Sequence, residues 1–275
     1  MKQIKTRHKL IPAIIMLLVA AITMSTASYA WFTMSTKVEV SGIDLAVVAP
    51  ANILIREKLS TPVVFSSAAV ITAASNPTGK LNHVSSLEGV NFFTIDDATA
   101  AGVNPTTGAL PANPTISDVS DQPVTTSPGY YYDYKLELVN TGNAQVQIGV
   151  RNVVVSPKVG SNPADVGIAK AVRFAVLNAA GTAVINAAAP VFSDDQVTLA
   201  ALTGTGGTTQ SVTSDDKYQN NLFTLSAGGI ADKDNPSGHL EVTIRVWIEG
   251  QDLNCKTANA NSAFTVQFEF YIYTP

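Results

Sequence analysis

The sequence predicts an all-β protein, an antiparallel β-sandwich of jelly-roll or immunoglobulin-like type with long loop insertions, preceded by an N-terminal hydrophobic signal helix. Three observations predict it. Short segments alternate apolar and polar residues with a period of two, turns rich in Gly, Pro and Asn separate these segments, and helical periodicity is almost absent. Half-buried strands of this kind pair into antiparallel sheets that pack face to face.

Residues 1–30 are predicted to be an export signal. The chain opens with basic residues and no acidic ones, at Lys2, Lys5, Arg7 and Lys9. An apolar run follows from residue 10 to about residue 22, and the small residues Ser28 and Ala30 suit a signal peptidase that cleaves before Trp31. The alternative is a retained membrane anchor, but the run is shorter than the roughly 20 residues that a spanning helix needs. We therefore expect a secreted protein, at the cell surface or in a matrix, that meets the membrane only through this signal before cleavage.

Composition excludes some partners. Charged residues make up 14% of the chain, and removal of residues 1–30 changes the formal net charge from −4 to −8. Nucleic-acid binding requires clustered Lys and Arg, so no nucleic-acid partner is expected.

Cys255 is the only cysteine, so a monomer has no disulfide. We expect it to be buried as a small hydrophobic residue, with pairing between chains as the alternative.

Residues 31–275 are predicted to form one sandwich domain. The predicted strands cover residues 37–48 with a bend at Gly42, 52–56, 131–139, 146–155, 172–176 paired with 183–186, 240–248 and 264–272. The turn residues Asn140-Thr141-Gly142-Asn143 predict that residues 131–155 form an antiparallel hairpin. Two stretches rich in Asn, Pro, Thr and Gly, at about 72–129 and 190–237, are predicted to be surface insertions that either bind a partner or are mere decoration.

Motifs for catalysis are missing from the sequence. The three histidines, His8, His83 and His239, lie far apart without an H-E-x-x-H context, and no serine lies in a G-x-S-x-G turn. We therefore predict no catalytic residue, no cofactor and no enzymatic activity. One acidic loop places oxygen ligands as calcium loops do, at Asp232, Asp234 and Asn235. Pro236 interrupts it and no bidentate Glu follows at the twelfth position, so loop solvation is the alternative.

Three groups of short motifs resemble a known family. The cleavage motif Ser28-Tyr29-Ala30 is followed by Trp31-Phe32 and then by Gly42-Ile43-Asp44-Leu45. Pro128-Gly129 precedes a strand that leads to Asn140-Thr141-Gly142, and the segment from Val246 to Cys255 is the third motif. Together they resemble the TasA and camelysin-like family of secreted Gram-positive surface and biofilm-matrix fibre proteins.

The resemblance implies a jelly-roll subunit of an extracellular fibre, whose partner is a further copy of itself and, in addition, other surface or matrix proteins. In such fibres the mature N-terminal segment inserts as a strand into the next subunit. The segment from Trp31 to Val40 suits this donor role, because Trp31, Phe32, Val38 and Val40 are apolar and β-prone. A neighbour's strand satisfies the unpaired backbone groups of an incomplete sheet, and a head-to-tail contact that does not close propagates as a filament. The alternative is that this segment pairs within its own sandwich.

Two other functions stay open at this point. Camelysin-like proteins have been classed as surface metallopeptidases, although the sequence offers no zinc-ligand constellation. A monomeric adhesin or glycan-binding module is the other, with Tyr130 to Tyr132 or the insertion at 72–129 as its contact surface.

Overall fold

The structure is a computed structural model that describes part of the chain. The described residues are 16, 39–50, 52–59, 64–71, 80–86, 88–95, 116–119, 129–157, 169–186, 191–194, 202–203, 209–210, 219–250, 255 and 262–275. Among them, strands dominate, and α-helix is limited to residue 16 and a short turn at residues 169–171. The predicted all-β class is therefore confirmed.

Two main sheets and two small ribbons organise the strands. The strands in chain order are β1 (Glu39–Val48), β2 (Ile53–Glu57), β3 (Ala68–Ile71), β4 (Lys80–Asn82), β5 (Phe93–Ile95), β6 (Ile116–Asp118), β7 (Tyr131–Asn140), β8 (Val146–Pro157), β9 (Val172–Asn178), β10 (Leu202–Thr203), β11 (Thr209–Gln210), β12 (Gln219–Leu225), β13 (Leu240–Ile248) and β14 (Ser262–Tyr273). Sheet A has the order β12-β8-β14-β1-β3, with β4 also paired to β1, and sheet B has the order β2-β7-β13-β9. The ribbons are β5-β6 and β10-β11.

The two sheets enclose one hydrophobic core. Phe174 of β9 stacks on Phe268 of β14 with ring centroids 4.8 Å apart, so aromatic side chains join the sheets directly. The Tyr134 hydroxyl of β7 donates a hydrogen bond of 3.0 Å to the Ile43 carbonyl of β1. Alternation explains the packing, because every second residue of a strand faces the same side. The inward residues of β14 are Phe264, Val266, Phe268 and Phe270, all buried.

The predicted hairpin at residues 131–155 is wrong. β7 lies in sheet B between β2 and β13, whereas β8 lies in sheet A between β12 and β14, so the connection crosses from one sheet to the other. The Asn140 side chain supports this crossover by donating to the carbonyls of Ala144 and Ser226, at 2.8 and 3.1 Å. Alternation shows which face of a strand is buried, but it does not identify the partner strand.

The sequence predicted the positions of the strands better than it predicted their relative directions. The register between β1 and β14 shifts between Val40 and Ile43, where the bend at Gly42 was predicted. These two strands run parallel, so sheet A is mixed and the purely antiparallel arrangement is corrected. The predicted pairing of residues 172–176 with 183–186 is reduced to one bridge, between Leu177 and Val184, and a few backbone hydrogen bonds.

Parts of both predicted insertions belong to the framework. Residues 219–225 form β12, an edge strand of sheet A, although they lie within the stretch 190–237. From the stretch 72–129, several side chains pack on the outer face of sheet B around Trp247 and form a second hydrophobic core. Its buried members are Val84, Phe92, Val119, Tyr131, Ala175, Leu177, Val191 and Trp247. Cys255 is fully buried in the main core, which confirms its predicted burial.

Candidate functional site

Of the predicted donor segment, residues 31–40, only Glu39 and Val40 lie in the described part of the chain. The cleavage residues Ser28 and Ala30, and the donor residues Trp31, Phe32 and Val38, lie outside it. Val40 lies in β1, where its backbone pairs with Leu81 of β4 on one side and with Ser262 of β14 on the other. Val40 thus pairs within the subunit's own sheet, which corrects its predicted donor role. The prediction of a donor strand then concerns residues 31–38, which lie outside the described residues.

Sheet edges differ in how far they are covered. On β2, the backbone N–H and C=O of Ile55 both bond to Ser66, at 2.8 and 3.0 Å. On β9, Phe174 exchanges backbone hydrogen bonds with Phe192. β12 pairs with β8 on one side, and no strand of the described residues pairs with its other side. An edge of this kind is where a strand from another chain can add to a sheet.

The acidic loop proposed for calcium bonds mainly to itself. The residues 230–238, termed here the 230–238 loop, form two short 3-10 turns, Ile230–Asp234 and Pro236–Gly238. Asp234 pairs with Lys233 at 2.7 Å, and the Asn235 side-chain oxygen accepts from both the backbone N–H and the hydroxyl of Ser237. Asp232 accepts from the Asn235 amide at 3.3 Å. Across the described ranges, no group of three or more His, Cys, Asp or Glu residues is placed to hold a metal ion.

The outer face of sheet B carries an ionic cluster centred on Glu137. Three neighbouring strands align Arg56 of β2, Glu137 of β7 and Glu241 of β13 side by side. Arg56 Nε lies 2.5 Å from Glu137 Oε2, and Lys58 Nζ donates to the other Glu137 oxygen and to Glu241. The Glu137 side chain is 2% exposed. A carboxylate so deeply buried requires such partners, because desolvation penalises an unpaired charge.

Its two cations keep Glu137 ionised. Burial raises the pKa of Glu137, but the hydrogen bonds from Lys58 and Arg56 outweigh it, so the pKa lies below its usual value of 4.5. The same contacts raise the pKa of Lys58 above its usual value, chiefly through the hydrogen bond to Glu137. The cluster is thus charged and internally paired at neutral pH.

Replacing Glu137 with Gln is expected to lower the free energy of unfolding at pH 7 by about 2 kcal/mol, because two hydrogen bonds between charged groups are lost. A carboxylate whose pKa is depressed by folding stabilises above its unfolded pKa, and this stabilisation is lost as the pH falls. The wild type should therefore lose stability below about pH 4.5, and the variant should lose less. Urea unfolding at pH 7 and below about pH 4.5 measures the stability of the wild type and of the variant. Glu241→Gln is the matched control, since that side chain is 39% exposed. Equal effects of the two substitutions would contradict the central role of Glu137.

A second ionic contact lies beneath the segment 83–93. Arg245 of β13 donates through Nε and Nη2 to the two carboxylate oxygens of Asp133, at 2.7 and 2.8 Å, and through Nη1 to the Gly89 carbonyl at 3.1 Å. Its guanidinium lies 4.0 Å from the Tyr131 ring centroid. Tyr131 and Tyr132 are buried, so the contact surface predicted at residues 130–132 is largely interior.

Sequence reasoning placed the charged residues of β7 on a polar face and missed their pairing. The alternation correctly predicted that Asp133, Lys135 and Glu137 share one face. It held no signal that Arg56 and Arg245 lie opposite them, because strand order is a long-range property. The described residues also contain no helix that is both long and apolar enough to cross a membrane.

Comparisons with known proteins add no relative: no family model, no curated protein and no solved structure matches the chain. The likeness of its short motifs to the TasA and camelysin-like family stays a prediction. Because one fold class hosts many unrelated functions, the class alone does not indicate an activity. Function is therefore inferred from the sheet edges, the loops and the charged clusters described above.

Proposed function

We propose that this protein is a secreted structural subunit of an extracellular fibre, with a jelly-roll type sandwich that assembles head to tail by donation of residues 31–38. One observation carries the proposal. β1 is held between β14 and β4 from its first residues onward, so no linker separates the proposed donor segment from a strand inside the subunit. A force applied to the donor segment would therefore be transmitted directly to sheet A.

The size of the donor suits addition to one sheet edge. Eight residues in extended conformation span about 26 Å, at about 3.3 Å per residue, which is the length of an ordinary strand. The β12 edge, which no strand of the described residues covers, offers an acceptor of matching type. Backbone hydrogen bonds would supply affinity, and the aromatic pair Trp31 and Phe32 would supply buried area.

The charged groups support a structural role over a catalytic one. The acidic side chains of Glu137 and Asp133 are each paired with cations of neighbouring strands. Catalytic acids and bases need a pKa near the working pH and access to substrate. The pKa of Glu137 is lowered and its oxygens are occupied by Arg56 and Lys58, which suits a brace between strands.

Deletion of residues 31–38, with Glu39 kept so that β1 stays whole, is expected to abolish fibres. Electron microscopy of negatively stained protein measures this, together with size-exclusion chromatography at high concentration. Val64→Ser is the control, because it removes an apolar side chain that is 88% exposed but lies outside the donor segment. That variant should form fibres like the wild type.

Two results would argue against the proposal. Fibres of normal length from the deletion variant would exclude the donor role of residues 31–38. A wild-type protein that stays monomeric at high concentration would favour the adhesin function instead. Cleavage of casein that a chelator abolishes, and that persists through repurification, would favour a metallopeptidase.

A further inference from the structure

The first half of the β12 edge is bonded to side chains of the same protein. The side-chain amide of Gln219 donates a hydrogen bond of 2.9 Å to the backbone carbonyl of Asn220. The side-chain amide of Asn186 donates a hydrogen bond of 2.9 Å to the backbone carbonyl of Asn221. Side-chain donors that bond to backbone carbonyls compete with the ladder hydrogen bonds that a further strand would form. Two successive carbonyls of β12 are therefore already occupied.

A bulge distorts the same half of β12. The register between β12 and β8 shifts between Gln219 and Phe223. Within this interval Asn221 has a positive φ of 48°, a conformation that Asn adopts more readily than most residues do. A bulge interrupts the ladder and increases the local twist, and natural sheets use bulges to protect exposed edges. The edge is thus irregular where its carbonyls are occupied.

Neighbouring strands of sheet A hold the bulge in place. The Tyr271 hydroxyl of β14 donates a hydrogen bond to the side-chain oxygen of Asn220. Gly149 of β8 leaves the space that the bulge needs. A Cβ atom at Gly149 would lie 2.5 Å from the Gln219 carbonyl oxygen and 2.5 Å from the Tyr271 ring. The bulge is therefore a packed feature of the sheet and does not depend on Asn186 alone.

Asn186 reaches β12 from the other sheet. The Ile185 N–H donates to the Val176 carbonyl of β9 at 3.0 Å, so the chain that leads to Asn186 lies along the edge of sheet B. Asn186 then contacts Asn221 of sheet A. This hydrogen bond links the two sheets on the side where β9 and β12 are their outermost strands.

The second half of β12 is regular. Leu222, Phe223 and Leu225 are buried, whereas Thr224 is exposed. Residues 223–225 pair with β8 in continuous register. Among the described residues, no strand pairs with the outer side of this half. A strand from another chain thus meets an undistorted backbone over about three residues.

We propose that Asn186 and Gln219 protect the β12 edge from pairing with the β12 edge of a second copy of this chain. Two identical edges can pair antiparallel about a twofold axis, and this would join two copies of sheet A into one continuous sheet. With both side chains in place, the regular part of the edge is at the lower limit of strand length. Without them, the carbonyls of Asn220 and Asn221 also become available to the second copy.

This inference does not rest on the proposed fibre. An exposed edge requires protection whether or not residues 31–38 of a neighbour add to its regular half. The proposed donor segment also brings Trp31 and Phe32, two large aromatic residues that β12 itself lacks at its edge. Protection against β12 is therefore compatible with acceptance of the donor.

The test measures cross-linking between β12 strands in the full-length protein. Thr224→Cys introduces an exposed thiol on the regular half, while Cys255 is fully buried, so a flexible bismaleimide links copies through residue 224. This substitution is made in the wild-type background and in the double variant Asn186→Ala/Gln219→Ala. The double variant should form covalent dimers at about tenfold lower protein concentration, which corresponds to one or two net hydrogen bonds.

Asn178→Ala is the matched control for Asn186→Ala. The Asn178 side chain bonds to Thr182 within a turn, so this variant should cross-link like the wild type. Gln219→Ala alone should shift the dimer concentration in the same direction by a smaller factor. It leaves the link between the sheets intact, so it tests the proposal even if Asn186→Ala weakens the fold.

Hydrogen exchange gives an independent readout without an added cysteine. In the double variant, the backbone amides of residues 222–225 should exchange more slowly at high than at low protein concentration, because pairing with a second copy protects them. The wild type should show no such dependence in this segment. Equal cross-linking of the wild type, Gln219→Ala and the double variant, or equal concentration dependence of exchange, would overturn the proposal.

Discussion

Replacing Arg245 with Ala is expected to lower the free energy of unfolding by about 3–5 kcal/mol. The Arg245 side chain is 8% exposed, forms a two-pronged pair with Asp133 and donates to the Gly89 carbonyl. Its removal leaves Asp133 and a buried carbonyl without their donor, and it deprives the Tyr131 ring of the cation above it. The energetic costs of these lost contacts add up, because each group was removed from water on folding.

Arg151→Ala is the matched control for Arg245→Ala. Arg151 also pairs with a carboxylate, that of Glu269 at 2.6 Å, and also lies over a tyrosine ring, that of Tyr271. Its side chain, however, is 45% exposed, so the loss should be below about 1 kcal/mol. Denaturant unfolding at pH 7 compares the two variants. Similar losses from both would show that burial does not decide the strength of these pairs.

Trp247→Ala is expected to cost about 3–5 kcal/mol and to detach the segment 83–93 from sheet B. Trp247 is fully buried at the centre of the second core, edge-on to Phe92 with centroids 5.4 Å apart. Its indole N–H also donates to the buried Glu249 carboxylate at 3.3 Å. Alanine would leave a large cavity and remove a donor from a buried charge. Thermal unfolding and limited proteolysis within residues 83–93 measure the two effects.

Trp247→Phe separates volume from hydrogen bonding. Phenylalanine fills most of the space but cannot donate to Glu249, so we expect a loss of about 1–2 kcal/mol and no new cleavage within residues 83–93. Proteolytic resistance of that segment in Trp247→Ala would mean that other contacts hold it, and that the second core does not depend on this side chain.

The sequence predicted strands well where alternation was regular. β13 and β14 were found almost to the residue, because apolar side chains recur at every second position and one face of each is buried. β12 was missed, since Asn220 and Asn221 resemble a loop and Asn221 adopts a positive φ of 48°. Its strand character comes from pairing with β8, a contact with residues about seventy positions earlier.

The candidate sites show the same division between local and long-range information. The residues of the 230–238 loop were identified from their local composition. The sequence singles out His239 only as a zinc ligand or a triad histidine, both of which it disfavours, because nothing near it in sequence reveals that Glu137 lies beside its ring. The cluster forms because Arg56 and Glu241 each lie opposite Glu137 on a neighbouring strand. Both pairings depend on how three strands that are distant in sequence align.

The position of β14 has a consequence for the order of events during folding. This strand lies between β8 and β1, although it is the last strand in the sequence. Until residue 273 has emerged from the ribosome, the two halves of sheet A lack the strand that joins them. Sheet A therefore cannot be completed while the chain is still being synthesised. Such long-range closure is slow, so the unfinished sheet would stay exposed and dependent on protection from premature aggregation.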